Sequence, residues 1–292
     1  VQLRDPFLEE VGRLRRGAKM LSSRGSLLMA RGRFQEAEEV FERAVAADTA
    51  DALAHLNLGS IRARLGKTDQ ARAALERAVR LDPSQSIAYM LLGQLFARQG
   101  DPAAAERHYR TALQVDPRND EAHLGLAAVL RHTGRCMEAL RHVEQVLEIT
   151  PGQVQAYLEQ AMCYGQRGED VRARAVLEAA HDVFPLHRGV RDALVRILAA
   201  SPVDAARDGA LALALSEKTV SEANHPATAE ARAMAYAELG RYTEAIRWQE
   251  TAVEAARARG ETAYVEHLNR ALQHYRQGRP SRTPWTSFYD EM

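Results

Sequence analysis

The sequence has 292 residues, of which 46% are hydrophobic and 6% aromatic, and its 39 basic residues balance its 39 acidic residues. This length and apolar content allow a substantial buried core, whereas the balanced charge disfavours nucleic acid as a partner because binding it needs a basic surface. No run of residues approaches the ~20 consecutive apolar positions of a membrane-spanning helix, so we expect no direct insertion into a membrane.

The sequence leaves the cellular compartment open. The chain begins at Val1 without a charged and apolar leader, which is consistent with a removed signal or upstream domain, or with a fragment. Frequent Ala and Arg favour a bacterial origin, and we expect a soluble protein of the periplasm or the cytoplasm. Cys136 and Cys163 form no CxxC pair, so we interpret both as small buried side chains, with a disulfide as the alternative.

In chain order, Asp5 and Pro6 predict the start of an N-terminal capping helix within residues 1–17. From there on, small residues recur every 34 positions. One column of glycines consists of Gly32, Gly66, Gly100, Gly134 and Gly168, with Gly240 further on; a second small column is Gly25, Gly59, Gly93, Ala127, Ala161 and Ala233. A glycine suits the left-handed turn that ends a helix, and small residues inside helices allow two backbones to approach closely.

These spacings predict seven helix pairs, each of which needs its neighbours in order to bury its apolar face. Their boundaries are 18–51, 52–85, 86–119, 120–153, 154–187, a degenerate unit at 188–225 and a clean unit at 226–259. The degenerate unit carries four extra residues, which we place in the turn from Ser201 to Asp208. They are either a tolerated surface insertion or an edge beside a binding site. Residues 260–276 predict a C-terminal capping helix and 277–292 an aromatic tail.

The pattern of large and small residues resembles the tetratricopeptide repeat family. Its clearest copy is Tyr89-x-x-Leu92-Gly93-x-x-Phe96, followed by Ala105, Tyr109, Ala112 and Pro117. The resemblance implies an all-α fold, a right-handed α-solenoid of about seven helix pairs with terminal capping helices. It also implies that the first helix of each pair lines a concave groove in which such arrays hold other proteins.

No combination of residues in the sequence is typical of an active site. His55 and His123 occupy the repeat position of Tyr89, so we interpret them as packing residues. His267 and His274 share a helix face but lack a carboxylate or cysteine at ligand spacing. Without a HExxH, GxSxG or phosphate-binding loop, we predict that the chain is not an enzyme and has no cofactor and no metal.

The predicted groove follows positions i, i+3, i+7 and i+10 of each first helix, and residues packed within the superhelix are the alternative reading. The candidate contact residues are Leu53, Leu56, Asn57, Ser60, Ile87, Met90, Gln94, Arg98, Glu121, Leu124, Arg131, Leu158 and Met162. We expect another protein, or a peptide segment with apolar anchors, as the partner. Of the positions that form the family's clamp for a chain-terminal carboxylate, only Asn57 fits, so a chaperone tail is a disfavoured partner.

The tail combines helix-ending prolines with the aromatic residues Trp285, Phe288 and Tyr289. Aromatic side chains favour burial, so we expect this tail to dock, first on the helices of 226–276, with the groove or a neighbouring molecule as alternatives.

An alternative function comes from residues 207–218 and 271–280, which resemble the C-terminal parts of bacterial multidomain repeat proteins. Some of those carry cytochrome or other redox modules outside the cytoplasm. The chain would then be a docking or spacer module of a larger redox assembly.

Overall fold

The structure is a computed structural model that describes residues 6–217 and 225–285, with side chains from residue 17 onwards. These residues form an all-α solenoid of repeats with fifteen α-helices, one short 3-10 helix and, within the described ranges, no strand. The helices are α1 (Pro6–Ala30), α2 (Phe34–Ala47), α3 (Ala52–Arg64), α4 (Thr68–Leu81), α5 (Ser86–Arg98), α6 (Pro102–Val115), α7 (Asp120–His132), α8 (Cys136–Ile149), α9 (Val154–Gln166), α10 (Asp170–Val183), α11 (Arg188–Ala200), α12 (Gly209–Glu217), α13 (Pro226–Glu238), α14 (Tyr242–Ala258) and α15 (Thr262–Arg276). The 3-10 helix, Asp204–Ala206, lies between α11 and α12.

The chain divides into two compact units, Val1–Thr133 and Gly134–Met292. Within each unit, consecutive helices pack against each other, and the first helices of neighbouring pairs also touch. In the first unit these first helices are α1, α3, α5 and α7, and in the second they are α9, α11 and α13. We call the surface of these first helices that is turned away from the second helices the inner face of a unit.

The small residues of the second column lie where two helices of a pair cross. A Cβ placed on Gly25 would come within 2.7 Å of the Phe41 ring, and one on Gly93 within 2.8 Å of the Tyr109 ring. Real side chains do not approach so closely, so the large residue of the second helix requires a glycine opposite it. The column predicted from the 34-residue spacing is therefore a packing requirement.

The turns repeat with the same regularity as the helices. All six glycines of the first column have a positive φ, between 71° and 78°, as the predicted helix ends require. The repeat position of Tyr89 holds histidine in some pairs and tyrosine in others, and both side chains can bond to the preceding turn. The His123 Nε2 lies 3.0 Å from the carbonyl oxygen of Pro117, six residues earlier. The Tyr157 hydroxyl donates to the Pro151 carbonyl in the same way, at 3.2 Å. Either side chain fastens its helix to the preceding turn.

The N-terminal end differs from the expectation. The predicted capping helix within residues 1–17 and the first helix of the 18–51 unit are one continuous helix, Pro6–Ala30. A lone Gly17 between good helix formers costs only about 1 kcal/mol relative to alanine, which does not break a helix. At the other end, α15 lies where the C-terminal capping helix was predicted and packs on α14.

Two further sequence expectations can be compared with the described residues. Cys136 and Cys163 are both buried and carry thiols rather than a disulfide, and the Cys136 thiol lies 3.0 Å from the Gln166 side-chain oxygen. None of the described helices combines the length and the apolar character that crossing a bilayer requires.

Candidate functional site on the inner faces of the two units

The inner face of the first unit presents two large apolar side chains to solvent. Leu53 on α3 and Ile87 on α5 stand 34 residues apart at equivalent positions, and each is 54% exposed. Glu121, the equivalent residue on α7, is exposed as well. Apolar side chains of this size, repeated on neighbouring helices and bordered by a charge, are typical of a contact surface.

Three of the predicted groove residues are buried and do not lie on the open face. Leu56 is 7% exposed, Met90 is 4% exposed and Arg131 is 2% exposed. Leu56 belongs to an apolar cluster with Leu75 and Leu92, so its helix position points toward the neighbouring pair. The expectation that these three residues line an open groove is therefore wrong, and Leu56 is covered where α3 packs against α4 and α5.

The remaining predicted residues of the first unit occupy the margin of the face. Arg98 is exposed at the end of α5, and the half-buried residues are Asn57, Ser60, Gln94 and Leu124. Together with Leu53, Ile87 and Glu121 they leave a surface with apolar anchors, amides and one carboxylate.

In the second unit, α9 carries the predicted residues Leu158 and Met162, both half-buried. Leu158 packs against a cluster built from α9 to α13 that includes Leu194, Ile197 and Met234. Leu158 therefore borders the core of the second unit, and neither of the two half-buried side chains is fully exposed.

The same helix positions in the next two pairs carry charges that the sequence analysis did not single out. Adding 34 to 158 and 162 gives Asp192 and Arg196 on α11, and adding 72 to 158 gives Glu230 on α13. They are only 3%, 1% and 0% exposed. Extending the predicted groove positions beyond the fifth unit would have found them.

Glu230 is the centre of a buried hydrogen-bond network on this face. It forms an ion pair with Arg196, accepts a 2.7 Å hydrogen bond from the Tyr264 hydroxyl and lies 2.9 Å from His267 Nε2. Arg196 also donates to the Ala227 carbonyl oxygen at 3.2 Å. A buried charge needs such partners, since an isolated one would cost several kcal/mol.

Asp192 forms a second, smaller group beside this network. Its carboxylate accepts a 2.7 Å hydrogen bond from Thr228 and lies 3.7 Å from the Arg191 guanidinium. Burial raises the pKa of Asp192 in spite of these partners. Both groups link α11 to α13, the first through the ion pair of Arg196 with Glu230 and the second through the hydrogen bond from Thr228 to Asp192.

The pKa of Glu230 makes the stability of the second unit depend on pH. Burial alone would raise this pKa, but the Arg196 charge and the hydrogen bonds from His267 and Tyr264 outweigh it and hold the pKa at about 2, against 4.5 for an ordinary glutamate. A depressed carboxyl pKa adds stability above the unfolded value, and that stability disappears as pH falls from about 5 toward 2. We therefore expect the difference in unfolding free energy between the protein and Glu230→Gln to shrink in acid.

Urea denaturation at pH 7 and pH 3 measures this difference. By the linkage relation, the contribution at pH 3 is less than about half of that at pH 7. The exposed Glu244, which pairs with Arg241, supplies the control through Glu244→Gln. An equal loss in Glu230→Gln at both pH values would contradict the depressed pKa.

The C-terminal segment lies against the ends of the same first helices. Arg282 donates to the carbonyl oxygen of Ala199 at 3.1 Å and forms an ion pair with Glu238. Trp285 packs against the cluster of α9 to α13, and a Cβ on Gly165 would overlap its indole ring. Arg282 thus contacts α13, inside the 226–276 region expected for the tail, whereas Trp285 reaches α9. Phe288 and Tyr289 lie outside the described residues.

The insertion between α11 and α12 borders this segment. Arg207 donates to Glu238 at 2.9 Å and to the Ser201 carbonyl oxygen at 2.9 Å, so it fixes the carboxylate that Arg282 also contacts. Ser201 in turn donates to the buried Asp170 at the start of α10. These contacts hold the insertion against α10 and α13, and both readings of it remain predictions.

The described residues contain no group of three or more His, Cys, Asp or Glu side chains that could hold a metal ion. His267, one of the two candidate histidines of the terminal helix, lies against Glu230 in the buried network.

The fold is that of a helical repeat protein. Family models described as tetratricopeptide repeat match residues 23–86, 60–106 and 90–154, and a further one matches 230–259. Together they span more than half of the chain, and the chain belongs to the tetratricopeptide repeat family. No curated protein matches it in sequence.

Several solved structures share the fold. A tetratricopeptide repeat protein from Parabacteroides merdae has a TM-score of 0.67 at 18% identity, over 89% of this chain and 99% of that one. YrrB, described as a protein of this family with an unusual peptide-binding site, has a TM-score of 0.51 at 20% identity over 64% and 96%. MamA has a TM-score of 0.51 at 22% identity over 57% and 91%. Because the identities are this low, the likeness concerns the fold.

Proposed function

We propose that the chain is a non-catalytic scaffold that binds a protein or peptide segment on the inner faces of its repeats. The observation that carries the proposal is the exposed apolar pair Leu53 and Ile87, repeated on neighbouring first helices. The family and the described peptide-binding site of YrrB support it. The balanced charge of the chain favours a protein over nucleic acid as the partner.

The segment bound by the first unit is expected to contain apolar anchors spaced to reach both Leu53 and Ile87. An extended or helical peptide can place such anchors on one side. The exposed Arg98 and the half-buried amides Asn57 and Gln94 then supply polar contacts at the margin. The alternative, a module of a redox assembly, rests on sequence resemblance alone.

Selection of binders from a random peptide library, followed by fluorescence anisotropy, tests the proposal. Leu53→Asp combined with Ile87→Asp is expected to weaken the selected peptides at least about tenfold, since central apolar anchors carry most of the binding energy. Met137 on α8 is equally exposed, at 54%, but belongs to a second helix, so Met137→Asp is the matched control. Binding that is lost equally with Met137→Asp, or retained by the double variant, would remove the inner face as the site.

A further inference from the structure

In the second unit, the last turn of each first helix carries a small residue at the predicted groove position, and we call the strip along these three residues the trough. The equivalent residues there are Gly165 on α9, Ala199 on α11 and Ala237 on α13, which follow from the same 34- and 72-residue spacings. Small side chains at one level of three adjacent helices leave the backbone accessible to a chain that crosses them. The trough lies beside the buried network of Arg196 and Glu230.

Residues 281–285 cross this trough in an extended form. Arg282 contacts Glu238 at the end of α13 and the Ala199 carbonyl at the end of α11, and Trp285 covers Gly165 on α9. Pro280 and Pro284 keep the segment out of a helix, and Pro284 is buried. Arg282 therefore joins the ends of α13 and α11, and the segment reaches α9 three residues later.

We propose that this trough is a peptide-binding site that the chain's own residues 281–285 occupy until a partner segment displaces them. The inference rests on the proposed function and assigns to the second unit both a regulation and a ligand chemistry. The incoming segment is an extended peptide with an arginine and, three residues later, a tryptophan, which is the pattern of Arg282 and Trp285.

The contacts of the segment are of a kind that a separate peptide can reproduce. The arginine meets a main-chain carbonyl and a carboxylate at a helix end, and the tryptophan meets a glycine surface and apolar side chains. Buried arginine and tryptophan side chains are the residue types that most often dominate peptide and protein interfaces. Arg207 prearranges the carboxylate of Glu238, so this residue need not be ordered by the incoming ligand.

The covalent connection makes the resident segment a strong competitor. Only residues 277–281 separate the end of α15 from Arg282, and a short flexible link corresponds to a local concentration in the millimolar range. A free segment with the same two anchors consequently binds the complete chain much more weakly than a chain that lacks its tail. A partner segment therefore displaces the tail only if it makes additional contacts or is present at a high local concentration.

A synthetic peptide with the sequence of residues 278–285 and a fluorescent label tests the proposal against two proteins, the full chain and a chain ending at Gly278. We expect the shortened chain to bind the peptide at least tenfold more tightly, and peptides with alanine in place of Arg282 or Trp285 to lose at least tenfold in affinity. Equal affinity of both proteins would overturn self-occupation. If neither protein binds the peptide while selected peptides still bind through Leu53 and Ile87, this inference fails and the scaffold function stands.

A second measurement reads the segment in the full chain. Trp248 and Trp285 are the two tryptophans, so Trp248→Phe leaves Trp285 as the only indole reporter. In that background Gly165→Leu fills the place of the indole and is expected to shift Trp285 emission to the red and to increase its quenching by acrylamide. Gly17→Leu, whose Cβ would have no neighbour within 4 Å, is the control and should change neither. A Trp285 signal unchanged by Gly165→Leu would overturn the assignment, as would a full-chain dimer that dissociates on removal of the tail.

Discussion

Replacing Arg196 with methionine is expected to lower the unfolding free energy of the second unit by about 3–5 kcal/mol, because it leaves the Glu230 carboxylate buried without its main cation. Arg196 is 1% exposed and Glu230 is 0% exposed, so water cannot take the place of the guanidinium. For a unit of this size each kcal/mol corresponds to about 2–4 °C, which predicts a fall in melting temperature of about 6–20 °C by circular dichroism.

Two further variants separate the charge effect from lost packing. Replacing Arg196 and Glu230 together by methionine removes both charges, and a large part of the lost stability is expected to return. Arg241→Met breaks the exposed pair with Glu244 and should leave the melting temperature nearly unchanged. A double variant as unstable as Arg196→Met would mean that shape, and not the unpaired carboxylate, dominates.

Leu56→Asp is expected to unfold the first unit or to reduce its stability by several kcal/mol, whereas Leu53→Asp on the same helix should be tolerated. The two leucines lie one turn apart, but Leu56 is 7% exposed and Leu53 is 54% exposed. An aspartate at position 56 would carry an unpaired charge into the cluster with Leu75 and Leu92.

The neighbouring helix repeats the comparison, with Met90→Asp expected to destabilise and Ile87→Asp to be tolerated. Thermal and urea unfolding followed by circular dichroism measure all four variants. If Leu56→Asp were as well tolerated as Leu53→Asp, both side chains would have to lie on the open surface, as the sequence pattern alone suggested.

The comparison between positions 53 and 56 also shows where sequence reasoning reached its limit. The 34-residue columns predicted the helix pairs and the glycine turns, because those features depend on contacts within one pair, such as Gly25 with Phe41. Whether Leu56 is open or covered depends on how closely α3 and α5 approach, which is a distance between pairs. A periodic pattern gives the direction of a side chain on its helix but not that distance.

The sequence alone could have predicted that the charged residues of the second unit share one helix face, but the predicted groove did not extend to them. The groove positions were followed only to the fifth pair, so Asp192, Arg196 and Glu230 were never placed on the same face. Their position could have been predicted by extending the count, whereas their burial and their pairing could not. The contact of Trp285 with Gly165 joins residues 120 positions apart, a separation on which repeat spacing carries no information.

The contacts between α11 and α13 at residues 192, 196, 228 and 230 affect which repeats stack on each other during folding. Repeats that resemble each other can stack in the wrong order, or with a repeat from another molecule, because their apolar surfaces are interchangeable. The ion pair of Arg196 on α11 with Glu230 on α13 is not interchangeable, because a helix without the matching charge in either place would leave a buried guanidinium or carboxylate without this partner. Among repeats that resemble each other, this ion pair therefore favours one order of stacking. It destabilises misassembled chains more than it stabilises the correct one.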